Sequence, residues 1–261
     1  MISIVIVNYK MKRLIKNCVQ WLKEAAIAEP FEIVVVDNNS QDCAEEYLKE
    51  IHPEIRYIQN GENIGMGAGT NIGINAAKGE FILLMNPDIF VFPGAIDKML
   101  EYLKAHNDVG IIAPQLLNPD GSLQYSCYKL HKLLTPLCRR TILGKTKLGK
   151  RELARFLMID WDHNDTRDID WAQGSCWLAR KDVLMEAGLF DEQFFMYFED
   201  ADLCRRIWQM GKRVVYFPDA KVIHLHRRQS ADKGGARAIF DKLTREHIKS
   251  WIKYIKKHGA V

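Results

Sequence analysis

Several features are missing from this 261-residue sequence, and each absence narrows what it can be. No apolar run approaches the roughly 18 residues that a membrane-crossing helix needs. The N-terminus passes straight into Ile2-Ser3-Ile4-Val5-Ile6-Val7, without the basic flank or cleavage site of a secretory leader. Neither export nor a membrane span is expected. The six cysteines, at 18, 43, 127, 138, 176 and 204, make no C-x-x-C pair and no zinc spacing. Several sit among apolar neighbours, which suits buried free thiols in a reducing, cytoplasmic location. A large excess of one charge sign is missing too: a formal +4 with 27% charged residues demands no nucleic-acid partner, and no basic run is interleaved with a nucleic-acid motif. What remains is a chain that is 48% hydrophobic and long enough to bury a sizeable core without staples.

The stretch Phe81-Ile82-Leu83-Leu84-Met85-Asn86-Pro87-Asp88 organises the rest. An uninterrupted apolar run of strand length reads as a strand buried on both faces, at the centre of a sheet. Ligands of open α/β sheets sit beyond the carboxyl ends of the strands, where this run delivers Asp88. Taken alone, Asn-Pro-Asp is equally turn chemistry. Around it the pattern alternates. Ile2 to Val7 is a buried strand, 12–26 a helix with Leu14, Cys18 and Leu22 on one face, and Ile33 to Val36 a second strand stopping at Asp37-Asn38-Asn39-Ser40. Ser40 is placed to N-cap a helix carrying Tyr47, Leu48 and Ile51. Right-handed crossovers then make the sheet parallel and put Asp37 on the same edge as Asp88.

A third strand over 55–59 leads to a glycine-rich loop with Gly61, Gly65, Gly67 and Gly69, and a short helix over 71–77 follows. The loop lets the backbone approach a ligand, although neither the dinucleotide fingerprint nor the P-loop pattern is present. Pro93 suits the first position of a helix carrying Ile96, Met99, Leu100 and Leu103. Ile111 to Ala113 is a short strand. From 118 to 170 periodicity fades, and a basic patch appears at Arg139, Arg140, Lys145, Lys147, Lys150 and Arg151, which is either a solvated loop or a functional excursion. Order returns with a strand over 171–179, a helix over 181–187 stopped by Gly188, and a helix starting at Glu199-Asp200-Ala201-Asp202. Two further strands span 214–217 and 221–226. The tail, about 237–257, is a basic amphipathic helix with Ile239, Leu243, Ile248, Trp251 and Ile255 near one side. Such a helix packs on the core, on a second copy to make a homodimer, or at a lipid interface, and peripheral membrane contact is the expectation.

The ordered set Ser3 to Tyr9, Val35 to Asp42, Asn63-Ile64-Gly65 through Asn71, Asn86-Pro87-Asp88, Gly188 to Glu192 and Glu199-Asp200-Ala201-Asp202 resembles the family 2 glycosyltransferases, most closely the bacterial rhamnosyltransferase-like members. The match covers 1–226. It implies the α/β GT-A fold, with a nucleotide-sugar-binding half (1–115), an acceptor-binding half (116–226) and the tail (227–261) as an extension. It also implies an inverting transfer from a nucleotide-diphosphate sugar, dTDP-rhamnose in that subset, to a glycan or lipid-linked saccharide at the inner face of the cell membrane.

Carried over residue by residue, the resemblance places Asn8 and Tyr9 near the nucleobase, Asp37 and Asn39 on base or ribose, and Asn63, Gly65, Asn71 and Asn86 along the nucleotide. An acceptor-only carboxylate such as Asp37 suits a base N–H or a ribose hydroxyl. Asp88 matches the last aspartate of the family's D-x-D motif and would hold Mn²⁺ or Mg²⁺ on the diphosphate. Asn86 departs from that motif, which puts the strength of metal binding in doubt. His224 matches the histidine that completes the metal site, with His226 on the same strand face as runner-up. Asp200 matches the general base, and Glu199 and Asp202 beside it raise its pKa by like-charge proximity. Trp171, Trp177 and Tyr197, with Asp202, are candidates for the acceptor side, although core packing competes for the aromatics. Two other readings stay open: a catalytically silent binding subunit, permitted by Asn86, and a nucleotidyltransferase, which lacks its basic glycine-rich activating loop.

Overall fold

The computed structural model describes residues 1–225 and 242–259. The chain opens with β1 (Ile2–Asn8), α1 (Lys12–Glu24), β2 (Phe31–Asp37), α2 (Ala44–Ile51), β3 (Arg56–Gln59), α3 (Met66–Ala76) and β4 (Phe81–Met85). β-Branched residues fill β1 and β2, where both faces are covered, and both strands are buried almost throughout. Next come β5 (Ile89–Val91), α4 (Ala95–Ala105), β6 (Val109–Leu117) and β7 (Cys127–Tyr128), then α5 (Thr135–Arg140), a 3₁₀ turn (Ile142–Lys145) and α6 (Lys147–Leu157). The chain closes with β8 (Arg167–Asp168), β9 (Trp171–Ala172), β10 (Cys176–Arg180), α7 (Lys181–Glu186), α8 (Glu199–Gln209), β11 (Arg213–His224) and α9 (Lys242–His258).

One mixed sheet runs β3-β2-β1-β4-β10-β6-β11-β5, with β8 also on β11. β4 is central, parallel to β1 on one side and antiparallel to β10 on the other. The parallel run β3-β2-β1-β4 brings the carboxyl ends of β1, β2 and β4 to one edge, so Asp37 and Asp88 share it. Because β10 is antiparallel, its beginning lies at that same edge, with Cys176 opposite Met85.

Several local expectations change. Ser40 does not cap α2, which starts at Ala44 after Cys43; the hydroxyl turns to Asp37 instead. Three of the five residues at 39–43, Asn39, Gln41 and Cys43, are in the left-handed region, which keeps this stretch out of the helix. The glycine-rich stretch is mostly helix: α3 begins at Met66, not at 71. Gly73 packs so close to β1 that a Cβ would lie 2.3 Å from Val5 Cγ1. Pro93 precedes α4 by two residues, the cap being Gly94 at φ +74°. The strand expected at 111–113 extends over all of β6. The one expected over 171–179 is two, β9 and β10, separated by the turn at Gly174. The two expected after 214 are one, β11, with a register shift between Phe217 and Lys221 around Pro218. Five of the six cysteines are buried and Cys43 is exposed.

The tail helix also differs. Tyr254 is buried against Phe198 and His131, and Ser250 Oγ donates to Met196 O at 2.8 Å, so α9 turns its aromatic side to the protein while Ile248 and Ile252 face outward. The aromatic side of the tail helix is therefore taken up by core packing, and Ile248 and Ile252 are the exposed large apolar side chains among its described residues. His226 and Ile239 lie outside the described residues. No described helix is long and apolar enough to cross a membrane.

Candidate active site

At the shared edge, Asn8 and Asp37 end neighbouring strands in direct register. Asn8 Nδ2 donates to Asp37 Oδ1 at 2.6 Å, Ser40 N donates to Asp37 Oδ2 at 2.9 Å, and the Ser40 hydroxyl donates to Oδ1. Both residues are buried, so they brace the turn after β2. Tyr9 beside them is 43% exposed. Asn39 Nδ2 donates to Gly61 O and Asn38 Nδ2 to Gly65 O, both at 2.8 Å, which ties this turn to the segment leading into α3. Asn63 Oδ1 accepts from Gly65 N at 3.1 Å. Gly65 sits at φ +95°, and a Cβ there would lie 2.3 Å from Phe195 O, so only glycine fits.

Asp88 and His224 come together through strand pairing. His224 lies opposite Ile89, the residue after Asp88, and Leu225 N donates to Asp88 O at 2.9 Å. His224 Nε2 stands 3.4 Å from Asp88 Oδ1. Its other nitrogen, Nδ1, meets Gln124 Oε1 at 2.8 Å, and Gln124 Nε2 donates to Asn118 Oδ1, which fixes the amide so that its oxygen faces the ring. Nδ1 is then the donor, and Nε2 is turned toward the carboxylate. A carboxylate oxygen and an imidazole nitrogen side by side, the imidazole oriented by a second partner, suit a shared divalent cation. Among the described residues no group of three or more His, Cys, Asp or Glu could hold a metal, so this pair supplies at most two ligands.

The link to the second half runs through Gly174 and Ser175. Asn86 N donates to Ser175 O at 2.8 Å, and Gly174 N donates to Asp200 Oδ2 at 3.2 Å. Asn86, just before Asp88, and Asp200 are thus held on either side of one two-residue turn. Asp200 is the second residue of α8, and Ala201 N donates to its Oδ1 at 2.8 Å. The chain enters this helix through Tyr197 and Phe198, both in the left-handed region at φ +70° and +67°, a costly conformation for aromatic residues that tertiary packing must hold.

Desolvation pushes the Asp200 carboxyl up to about 6, against the backbone N–H groups and the Arg139 charge, which favour ionisation. Glu199 is pushed well above the usual carboxylate range by desolvation and then by the Asp200 charge. Glu199 Oε2, Ser175 Oγ and Trp177 Nε1 are buried without hydrogen-bond partners among the described residues. Such atoms are uncommon and mark where stability gives way to another requirement.

A family model described as "Glycosyl transferase family 2" matches residues 3–188. The chain belongs to that family. Its curated relatives include the N-acetylglucosaminyl-diphospho-decaprenol L-rhamnosyltransferase of Mycobacterium tuberculosis, 28% identical over 90% of this chain and 78% of that one. Rhamnosyltransferase WbbL of Escherichia coli is 28% identical over 98% of this chain and 92% of its own length. Among solved structures, GalNAc-T7 with UDP, GalNAc and Mn²⁺ superposes with a TM-score of 0.68 at 16% identity, covering 98% of this chain. This chain spans 48% of that structure's length, and the likeness shows the fold, GT-A.

In this family 2 glycosyltransferase the remaining candidates divide. Asn71 is committed at both ends of its amide, accepting from Phe190 N at 2.9 Å and donating to Phe190 O at 2.8 Å, and so fastens the 189–198 loop to α3. Trp171 and Trp177 are buried in the core, one packed on Tyr128 and His131, the other stacked on Phe190, and neither offers an open face to a sugar. Tyr197 packs on His247. Asp202 is fully buried and faces α9: Arg206, Lys257 and His258 surround it at 2.8, 2.8 and 2.6 Å. It is an anchor for the tail and not part of an acceptor surface. A cavity of about 500 Å³ lined by Asn71, Asn75, Glu192, Arg206 and Lys257 lies at the 187–192 loop, and neither Asp88, His224 nor Asp200 lines it.

Residues that sequence reasoning passed over are Gln124, which orients His224, and Gly174 and Ser175, which join Asp200 to Asn86. The one available signal for the last two was a Gly-Ser pair between strand-like runs, a break that reads as an ordinary turn.

Proposed function

We propose that this chain is an inverting glycosyltransferase that moves L-rhamnose from dTDP-rhamnose to a hydroxyl of a lipid-linked saccharide in the assembly of a bacterial cell-surface glycan. The observation that carries the reading is Asp200, a carboxyl with its affinity for protons raised to about 6, positioned across Gly174 and Ser175 from the strand end that bears Asn86 and Asp88. The names of both rhamnosyltransferase relatives support the sugar, and that of the mycobacterial one supports the lipid-linked class of acceptor.

In a single displacement the acceptor oxygen attacks the anomeric carbon as the bond to the diphosphate oxygen breaks, and the leaving diphosphate keeps the electron pair. Asp200 takes the hydroxyl proton during the attack, which requires it as carboxylate and near the pH at which it works. Glu199, held protonated, adds no second negative charge beside it. Asp88 and His224 would hold Mn²⁺ or Mg²⁺, whose charge offsets that of the leaving diphosphate. Asn86 lowers the negative charge at this site, so the nucleotide is expected to contribute to metal affinity. The exposed Tyr9 and the α3 entry at Asn63 and Gly65 would receive the nucleoside.

The test is thermal unfolding with dTDP, UDP, GDP, CMP and NAD, each with and without Mn²⁺. A nucleotide at about a hundred times its Kd adds roughly 2.7 kcal/mol, which raises the midpoint by several degrees. A Mn²⁺-dependent shift with dTDP supports the reading. A shift with another nucleotide alone reassigns the donor, and none with any nucleotide points to a silent scaffold.

A further inference from the structure

From Lys132 to Arg151 the sequence carries seven Lys or Arg and no Asp or Glu. This segment folds as α5, the 3₁₀ turn and α6, and it is drawn tight. A Cβ on Gly144 would lie 2.2 Å from Cys138 O, and one on Gly149 would lie 2.0 Å from Leu143 O. Thr146 Oγ1 accepts from Gly149 N at 3.0 Å to cap α6, and the buried Thr135 bonds Glu152 across the hairpin. A hairpin this closely packed presents a defined outer face.

That face is apolar. Ile142 is 78% exposed and Leu148 69%, and Leu133, Leu134, Leu137 and Leu143 are exposed beside them. Six of the fifteen large hydrophobic side chains exposed among the described residues fall between 133 and 148, so this is a patch and not scatter. Lys145, Lys147, Lys150 and Arg151 are exposed around it.

We propose that the α5–α6 hairpin docks the protein on an anionic lipid surface, its leucines and Ile142 entering the interface while the surrounding lysines and arginine meet the headgroups. Charge decides between occupants. A second copy of the chain seated patch to patch would set the exposed Lys145, Lys147, Lys150 and Arg151 against their own counterparts, whereas a layer of lipid phosphates complements them. The hairpin also borders the candidate site. His131 at its base packs on Phe198 with ring centroids 4.7 Å apart, and Glu199 and Asp200 follow directly. If the proposed function holds, docking brings Asp200 to the lipid surface from which a lipid-linked acceptor presents its hydroxyl; the docking itself does not rest on that reading.

The experiment is co-sedimentation of the full chain with vesicles of phosphatidylcholine alone and with vesicles enriched in phosphatidylglycerol, at low and high salt. The wild type is expected on the anionic vesicles at low salt. The double variant Ile142→Glu, Leu148→Glu should lose at least about tenfold in partitioning, and Lys145→Glu, Lys150→Glu should lose the preference for anionic lipid. All four side chains are exposed, so an unchanged unfolding midpoint and an unchanged nucleotide-induced shift show that the variants are folded. Wild type that ignores both vesicles, or variants that bind like wild type, overturns the proposal. So does a wild-type dimer in light scattering that Ile142→Glu, Leu148→Glu disperses, which assigns the patch to a second copy. Vesicle binding without sugar transfer leaves docking intact and removes the proposed function; transfer to a soluble acceptor without vesicle binding does the reverse.

Discussion

Asp200 and Glu199 are neighbours in sequence with separate tasks, and pH tells them apart. Replacing Asp200 by Asn removes the base but keeps the shape, so transfer should fall by about a hundredfold to ten-thousandfold while the nucleotide-induced rise in unfolding midpoint survives. Unchanged turnover would remove Asp200 from the mechanism. In the wild type, the rate should climb with pH through a midpoint near the raised Asp200 value and level off above it, measured as kcat/KM against pH. Glu199 makes a prediction about stability. Its proton is held more tightly folded than unfolded, so its contribution is full at low pH and is lost as pH rises through the folded pKa. Glu199→Gln should therefore raise the unfolding midpoint relative to wild type more at about pH 8 than at about pH 5. An equal change at both would show that Glu199 titrates normally. Asp88, His224 and Asp200 were singled out in the sequence through the family resemblance, and the fold brings the first two to 3.4 Å. Gln124 was not, because its role arises from a pairing 100 residues away. Asp202 was misread for a related reason: an acid in the first turn of a helix looks the same whether it faces a substrate or Lys257 and His258.

At the scale of elements, α3 shows what pattern reading loses. Glycines at 61, 65, 67 and 69 look like a loop because glycine disfavours helix, yet α3 runs from Met66 through Gly67 and Gly69, tertiary packing overriding that preference. Gly73 lies against Val5 of β1 and Val36 of β2, and Gly65 against the Phe195 backbone, so a side chain at either position has no room. Gly73→Ala gains about 1 kcal/mol of helix propensity but drives a methyl into Val5, a stiff side chain on a central strand, where overpacking costs about 1–3 kcal/mol. A net loss in urea-denaturation midpoint is expected, and a gain would mean that β1 yields more easily than its burial indicates. The buried strands were easy to read because their apolar runs are continuous. β11 was split in two by Pro218, since a proline ends most strands, and only its partners on both sides carry it past the register shift.

For the whole molecule, α9 belongs to the working structure. It grips the loop that roofs α3 at three points: Ser250 on Met196 O, Lys253 on Gln193 O and Lys257 on Asp191. Asp202→Ala leaves Arg206, Lys257 and His258 clustered without their shared carboxylate, at a cost of about 3–5 kcal/mol. A lower unfolding midpoint, with loss of the nucleotide-induced shift, is the expected result; a midpoint equal to wild type would show that the helix is held by its aromatic contacts alone. The other consequence lies in β10. Five residues of ladder pair it with β4, and the same strand pairs with β6, so the strands before and after it in the sequence join in one continuous sheet. A shared ladder resists rigid-body movement of one part of the sheet against another. One backbone bond, from Asn86 N to Ser175 O, and one bond from Gly174 N to the Asp200 carboxylate tie the end of the central strand to the start of α8 through a single short turn.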